Sequence, residues 1–254
     1  MPSTVKVNFL VKKYIVLLFE ASRTVIHPER KTKIFGQEYF YDDKLGLAVL
    51  QGTFIDNAFL RTFIPQNGII VDVGANIGQF NLFSKYFLKA RKVYSFEPIE
   101  ETYKILKKNC PRNSYMTAIS TKKKLKMYVA VLSVWSSAYL ENPTDKVEMV
   151  RTQKIDDILE IKKEKIIELL KVDTEGTELD VLKASSETLH RSQYILVEVQ
   201  FMHLTNGKLS RILEFLESEI KGVILIRIGR VYNSPIDYTT GSADMLFFNP
   251  NVQR

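Results

Sequence analysis

Cysteine is almost absent from this chain of 254 residues, in which Cys110 is the single example. One cysteine excludes an internal disulfide, and it excludes the cysteine clusters that hold structural zinc. A chain without disulfides is typical of a reducing compartment, so a cytoplasmic location is expected.

Long hydrophobic runs are also lacking, since none approaches the roughly 18 residues that a membrane span needs. The nearest is the stretch from Phe9 to Phe19, which Lys12 and Lys13 interrupt. No small-residue cleavage site follows it, so a signal peptide is not expected. Residues 1–44 are predicted to be a helical lead-in that packs on the domain, and a weak association of its helix with a membrane surface stays open.

The sequence contains neither internal repeats nor low-complexity linkers. One α/β domain over residues 45–254 is therefore expected. Much of the net charge of +7 lies in two lysine-rich runs, residues 104–112 and 122–126. Such runs are more often a solvated face than a nucleic-acid platform, and few aromatic residues interleave with them. No nucleic-acid partner is expected.

What the chain does contain is a strand, a glycine turn and a helix in direct succession, from Ile69 to Phe80 (IIVDVGANIGQF). The first five residues are mostly β-branched, which is typical of a strand buried on both faces. From Phe80 onward apolar residues recur at helical spacing. The glycines let a backbone approach a ligand closely, and the new helix points unpaired N–H groups at it. An adenosine-bearing cofactor is the expected occupant.

The glycine spacing indicates which cofactor. The fingerprint G-x-G-x-x-G, in which amides cradle a pyrophosphate, is missing. A carboxylate precedes the first glycine instead, and it would repel a pyrophosphate but can receive the ammonium group of S-adenosylmethionine. An NAD-dependent oxidoreductase is therefore disfavoured, and a turn that binds no ligand stays open. The residues assigned to the methionine end of S-adenosylmethionine are Asp72, Gly74, Asn76 and Gly78.

Strands and helices alternate after this turn, which predicts an α/β fold with a mostly parallel sheet covered on both faces. In such sheets ligands bind beyond the carboxyl ends of the strands. Short strands are also expected near 45–50 and over 115–119, and an inserted hairpin from 125–131 and 147–153. The sheet strands are predicted at 69–73, 93–96, 166–172, 194–199, 223–228 and 245–248.

Carboxylates stand at the ends of these strands. Glu97 ends the second one, where it can accept hydrogen bonds from both hydroxyls of a ribose. Asp173 and Glu175 follow the strand 166–172 and could share a proton, bind a divalent metal or accept from a substrate hydroxyl. Capping of the next helix by Asp173 or Thr174 is the structural alternative.

Four further residues are candidates for the site. Glu198 interrupts the apolar strand ILVEV, where an unpaired charge is costly. His203 lies just past this strand and, with Asp173 and Glu175, completes the predicted catalytic group, although a lone histidine is more often structural. Ser120 is a weaker candidate for the adenine edge, as is Ser137 for the acceptor pocket. No residue is assigned to a metal.

With these residues in place, the chain resembles the FkbM-type family of S-adenosylmethionine-dependent methyltransferases over roughly residues 45–250. The matching segments include IIVDVGANIGQF, VYSFEPIEETYKILKKN, QKIDDIL, LLKVDTEGTELDVLKAS and YILVEVQ. The resemblance implies a Rossmann-like class I methyltransferase fold, with a seven-stranded, mostly parallel sheet whose last strand, Met245–Phe248, runs antiparallel. It also implies O-methylation, typically of a sugar or polyketide-like hydroxyl.

The functional prediction is an O-methyltransferase whose acceptor is a sugar, a glycan or a polyketide-like small molecule. An RNA or protein methyltransferase that uses the basic face is an alternative, although no N-P-P-Y-type amino-methylation motif is present. A cofactor-binding scaffold without catalysis is another. The oligomeric state and a metal requirement stay open at this point.

Overall fold

A computed structural model describes residues 30–41, 44–129, 146–201, 208–233 and 240–253. The predicted N-terminal helix, Ser137 and His203 lie outside these described residues. The described strands are β1 (Lys31–Ile34), β2 (Gln37–Phe40), β3 (Ile69–Val73), β4 (Lys92–Phe96), β5 (Ser114–Tyr115), β6 (Ala118–Ile119), β7 (Lys124–Val129), β8 (Lys146–Gln153), β9 (Ile167–Val172), β10 (Ser192–Gln200), β11 (Ile224–Asn233) and β12 (Thr240–Phe248). The described α-helices are α1 (Lys44–Asp56), α2 (Gln79–Tyr86), α3 (Glu100–Asn109), α4 (Leu159–Lys162), α5 (Glu178–Lys183), α6 (Ser186–His190) and α7 (Leu209–Glu219), and 3₁₀ turns occur at Ala58–Thr62 and Ile155–Asp157.

A seven-stranded sheet in the order β11-β12-β10-β9-β3-β4-β5 forms the centre of the fold. Strand β3 pairs in parallel with both β4 and β9, and β9 pairs in parallel with β10. Strand β12 inserts between β10 and β11 and is antiparallel to both. The α/β, Rossmann-like class I methyltransferase fold and its antiparallel last strand are thereby confirmed.

The central strands are apolar on both sides, and helices therefore cover both faces of the sheet. On one face Val71 belongs to the same core as Leu182 of α5. On the other face Ile70 belongs to a second core with Phe83 of α2. All five residues of β3 are buried, including the charged Asp72. The glycine turn follows directly from the end of this buried strand.

Two predicted strands are corrected by the structure. The strand expected near 45–50 is wrong, because this segment is part of helix α1. In the helical form Leu50 and Phe54, four residues apart, both enter the core, and Phe54 makes an edge contact with Phe83 at 5.3 Å. The predicted strand 115–119 is divided, because the chain leaves the large sheet at the exposed Met116.

A small second sheet has the strand order β6-β8-β7. Strands β7 and β8 pair antiparallel from Lys124 opposite Arg151 onward, so the predicted pairing of these two segments is confirmed. Buried Leu125 and Met127 share a cluster with Ile99 at the start of α3. None of the helices in the described ranges is long and apolar enough to cross a membrane.

Candidate active site

A cavity of about 600 Å³ opens where the strands β3, β4, β9 and β10 end. Its volume lies within the range of roughly 300–1,000 Å³ that is usual for small-molecule sites. Helix α1 contributes Val49, Thr53 and neighbouring residues to its lining. A cavity thus lies at the carboxyl edge of the sheet, where the sequence predicts the site.

The lining changes in chemistry from one end of the cavity to the other. Around the small sheet and the end of β4 it is mostly apolar, and around the ends of β9, β10 and β12 it is acidic. Glu97 and Asn76 are polar residues at the strand ends β4 and β3. The apolar lining comprises Phe96, Ile99, Ala118, Ile119, Leu125 and Met127, and the acidic lining comprises Asp173, Glu175, Glu198 and Asp244.

The two glycines of the turn both have positive φ, at +82° and +98°, but they have different neighbours. A Cβ on Gly74 would lie 1.7 Å from the carbonyl oxygen of Asp173, so only glycine lets the turn pass this close to the end of β9. A Cβ on Gly78 would lie 2.8 Å from the Sγ of Cys110. Gly74 lines the cavity, whereas Gly78 packs against helix α3 and is not part of the lining.

Glu97 fastens the glycine turn to the start of α3. Its Oε2 accepts the N–H of Asn76 at 3.1 Å, and its Oε1 accepts the N–H of Ile99 at 2.9 Å. Burial raises the pKa of Glu97 to about 7, against the two N–H groups, which lower it. A carboxylate oxygen has two lone pairs, so each oxygen retains capacity for a ligand. The structure places Glu97 in the cavity wall beside the glycine turn.

A buried lysine that sequence reasoning missed lies between the acids of β3 and β9. Lys171 donates to Oδ2 of Asp173 at 2.9 Å, and its Nζ lies 3.6 Å from Oδ1 of Asp72. Burial lowers the pKa of Lys171, but the charges of Asp173 and Asp72 raise it more, so it stays charged. Burial raises the pKa of Asp72 to about 6, although Lys171 opposes the shift. The signal was available, because Lys171 interrupts the apolar run of β9 as Glu198 interrupts β10.

Asp72 is fully buried and is not among the residues that line the cavity. Its two carboxylate oxygens have no hydrogen-bond partner among the described residues. Lys171 does line the cavity, so it joins Asp72 to the site.

The turn after β9 is held by Glu178, whose Oε1 accepts three hydrogen bonds. They come from the N–H of Thr174 at 3.0 Å, the hydroxyl of the same residue at 3.1 Å and the N–H of Gly176 at 3.0 Å. Helix α5 has Thr177 as its N-cap and no side-chain capping bond. The capping alternative for Asp173 or Thr174 is therefore wrong, and Glu178 is a supporting residue that the sequence did not single out.

Three carboxylates from two strand ends converge at the acidic end. One oxygen from each of Asp173, Glu175 and Glu198 lies within 4.8 Å of the other two. Burial, with the charge of Asp173 as the next cause, raises the pKa of Glu175 to about 8 and that of Glu198 well above its ordinary value. Asp244 lies directly opposite Glu198 in the pairing of β10 with β12. The structure thus brings together Asp173, Glu175 and Glu198, which the sequence singled out, and adds Asp244, which it did not.

The glycine turn, Glu97 and the acids at the ends of β9 and β10 all lie within residues 72–220. That range matches the family described as the methyltransferase FkbM domain. The chain belongs to the FkbM methyltransferase family.

Relatives of this FkbM chain include Methyltransferase 1 of Beauveria bassiana, 27% identical over an alignment of 157 positions that covers 51% of this chain. The hexuronic acid methyltransferase AglP of Haloferax volcanii is 30% identical over 139 residues, 53% of the chain. The chain spans 63% and 56% of the lengths of these two relatives. The crystal structure of Methyltransferase FkbM from Methylobacillus flagellatus KT superposes with a TM-score of 0.47 at 13% identity, over 94% of this chain and 59% of that one.

Ser120 of this FkbM chain is buried but does not line the cavity. Its N–H donates to the carbonyl of Gln153 at 3.2 Å, and its Oγ accepts the N–H of Lys122 at 3.1 Å. The three preceding residues, 117–119, are the ones that face the cavity. Ser120 therefore holds the small sheet together, and its assignment to the adenine edge stays a prediction.

Three further residues of the cavity lining, Asp56, Arg230 and Tyr232, contact one another, and the sequence alone did not predict these contacts. Asp56 of α1 forms an ion pair with Arg230 of β11 at 3.2 Å and accepts from the hydroxyl of Tyr232 at 3.4 Å. The guanidinium of Arg230 lies over the ring of Tyr232 at 5.2 Å. All three line the cavity, and they meet across elements that are far apart in the sequence.

Proposed function

We propose that this chain is an S-adenosylmethionine-dependent O-methyltransferase that acts on a hydroxyl group of a sugar, glycan or polyketide-like small molecule. The observation that carries the proposal is the single cavity that joins an apolar end, Glu97 at the glycine turn and the acids after β9. Membership of the FkbM methyltransferase family supports methyl transfer. The relative described as a hexuronic acid methyltransferase supports a sugar acceptor.

The residues present fit the cofactor. The apolar end can pack against the adenine, Glu97 can accept from the ribose hydroxyls, and the backbone at Gly74 and Asn76 faces the methionine end. Asp72 contacts the methionine end of the cofactor indirectly, through Lys171 or a water molecule, because its oxygens are buried and do not reach the cavity surface. When bound, S-adenosylmethionine supplies a sulfonium methyl group that passes to the acceptor oxygen while the carbon–sulfur electron pair stays on sulfur.

In this reaction the residues of the chain orient the acceptor hydroxyl and remove its proton. Asp173 and Glu175 lie at the acidic end, beyond the glycine turn, where the acceptor hydroxyl would lie. A proton acceptor works best when its pKa is near the working pH, which suits the raised pKa of Glu175, about 8. Holding the oxygen in line with the methyl group can supply about 7–11 kcal/mol of the barrier.

An RNA acceptor is the second candidate, and the contacts of the lysine-rich runs weigh against it. Lys104 forms ion pairs with Glu100 at 3.1 Å and Glu101 at 2.8 Å, and Lys122 lies 3.6 Å from Asp180. Lys107 donates to a backbone carbonyl at 2.9 Å. Part of the positive charge is thus neutralised within the chain. Sub-micromolar, salt-dependent RNA binding in a mobility-shift assay would favour this candidate instead.

The test has two steps. Calorimetry should show one site that binds S-adenosylmethionine and its demethylated product, and no binding of NADH. Incubation with methyl-labelled cofactor and a fractionated glycan or metabolite extract should then transfer label to a hydroxyl-bearing compound. Binding without transfer to any fraction would favour the scaffold alternative, and NADH binding alone would contradict the proposal.

A further inference from the structure

We propose that Asp173, Glu175 and Glu198 bind one divalent cation of the Mg²⁺, Mn²⁺ or Ca²⁺ type at the acidic end of the cavity. Binding of the cation stands on the geometry of these three residues. Its role, which is to hold the acceptor hydroxyl and ease loss of the hydroxyl proton, rests on the proposed function.

The geometry of the oxygens fits such an ion. Hard divalent cations take carboxylate oxygens at about 2.0–2.6 Å, so two oxygens on one ion lie no more than about 5 Å apart. One oxygen from each of the three residues meets this condition, since all lie within 4.8 Å of one another. The donor set contains no sulfur or imidazole among these residues, which favours a hard cation over zinc or copper.

An orphaned oxygen gives a second, independent indication. Oε1 of Glu198 accepts from the hydroxyl of Ser242 at 2.9 Å, which fixes the carboxylate. Its Oε2 is buried and has no hydrogen-bond partner among the described residues. Burying a polar atom without a hydrogen-bond partner costs free energy, so such an atom indicates a ligand that is not part of the chain. A bound cation would satisfy this oxygen.

The excess of negative charge around the three carboxylates also favours a bound cation. Asp244 lies directly opposite Glu198 across two antiparallel strands, where like charges repel. Two cationic side chains occur in the described lining of the cavity: Lys171 pairs with Asp173 of the cluster and with Asp72, and Arg230 pairs with Asp56. Neither of these cations forms an ion pair with Glu198 or Asp244 among the described residues, so the acidic groups outnumber the cations at this end of the cavity.

A cation held by three protein oxygens keeps open positions for further oxygen ligands. A hydroxyl bound there loses its proton more easily, because the metal stabilises the alkoxide, and the proton passes to the oxygen of Glu175 that does not bind the ion. The site would thus hold the acceptor oxygen at the end of the cavity that lies opposite the apolar, adenine-type end.

The experiment uses Mn²⁺ alone as the probe, with the full chain first stripped by a chelator. Calorimetric titration of the wild-type chain should show one saturable site that Mg²⁺ or Ca²⁺ displaces. Glu198→Gln and Glu175→Gln should each weaken Mn²⁺ binding by at least about tenfold, because each removes a charged ligand. The matched control is Glu100→Gln, which removes the same charge from the exposed face of α3 and should leave Mn²⁺ affinity unchanged.

The outcomes separate this proposal from the proposed function. Absence of saturable Mn²⁺ binding by the wild type in the millimolar range, or equal binding by both cluster variants, would overturn the site. Both variants are expected to fold, since each replaces a half-buried carboxylate by its neutral isostere, and melting curves would verify this. If one does not melt cooperatively, Asp173→Asn takes its place. Mn²⁺ binding without methyl transfer would support the cation site and contradict the proposed function. Methyl transfer that continues in the presence of the chelator, by a chain that binds no Mn²⁺, would support the proposed function and contradict the cation site.

Discussion

At the scale of single residues, Glu97 has the most sharply defined role. It accepts two backbone N–H groups and lines the cavity, so in the proposed function it links the turn after β3 to the cofactor. Glu97→Ala should weaken S-adenosylmethionine binding by at least about tenfold, since each charge-assisted hydrogen bond contributes roughly 1.5–3 kcal/mol. Calorimetry measures this directly. Glu101→Ala, at an exposed position of α3, is the control and should bind normally.

The two acids after β9 should respond differently to neutralisation. Glu175→Gln is expected to lower turnover by about 10²–10⁴-fold with cofactor affinity within a few-fold of wild type, because removing a proton acceptor affects the acceptor side. Asp173→Asn should affect both quantities, since it also loses its ion pair with Lys171. Turnover and affinity measured on both variants test this. Full activity of both would move the catalytic role to Glu198 and His203.

Lys171 offers a test of the buried charge pair. Lys171→Met should destabilise the fold by about 3–5 kcal/mol, because the carboxylate of Asp72 is then buried without a cation. Adding Asp72→Asn should restore a large part of this loss, since no buried charge is left on β3. Urea unfolding of the two single variants and the double variant gives the coupling free energy. Strictly additive effects would show that Lys171 and Asp72 do not interact.

At the scale of elements, the turn between β3 and α2 depends on the absence of a side chain. Gly74→Ala should destabilise the protein by several kcal/mol, because its Cβ would lie 1.7 Å from the backbone of Asp173. Gly36→Ala is a matched control. Gly36 has nearly the same φ, +81°, but has nothing within 4 Å, so a cost of about 1 kcal/mol is expected. Urea unfolding measures both, and equal losses would mean that φ alone sets the requirement for glycine.

At the scale of the whole molecule, the buried carboxyl groups make stability depend on pH. Burial raises the pKa of Asp72 from 3.8 to about 6 and that of Glu97 from 4.5 to about 7. The folded chain therefore holds these protons more tightly than the unfolded chain. Their contribution to stability is present below the unfolded pKa values and is lost as the pH rises through about 6 to 7. Each loss is on the order of 3 kcal/mol at 1.36 kcal/mol per pKa unit.

The free energy of unfolding of the cofactor-free protein should consequently be lower near pH 8 than near pH 5, as measured by urea unfolding. Glu97→Gln cannot titrate at this position, so its stability should fall less over the same range. A fall of equal size in the variant and the wild type would assign the pH dependence to other groups.

The sequence by itself determined the elements whose signal is local. The β-branched run of β3, the glycines after it and the helical spacing from Phe80 specify a strand, a turn and a helix, since these preferences act over a few residues. The same holds for the acids at strand ends, because a charge beside an apolar run marks the point where the strand leaves the core. Glu97, Asp173 and Glu175 could be placed at the edge of the sheet on this ground.

The tertiary structure decided what depends on contacts between distant segments. Residues 45–50 are apolar enough for a strand, but packing of Leu50 and Phe54 on α2 makes them a helix. The partners of Lys171, the pairing of Glu198 with Asp244 and the meeting of Asp56 with Arg230 all cross between strands or helices. The order of the strands sets which side chains meet, and a linear sequence does not contain those distances. The acidic cluster, and with it the cation site, exists only in the folded chain.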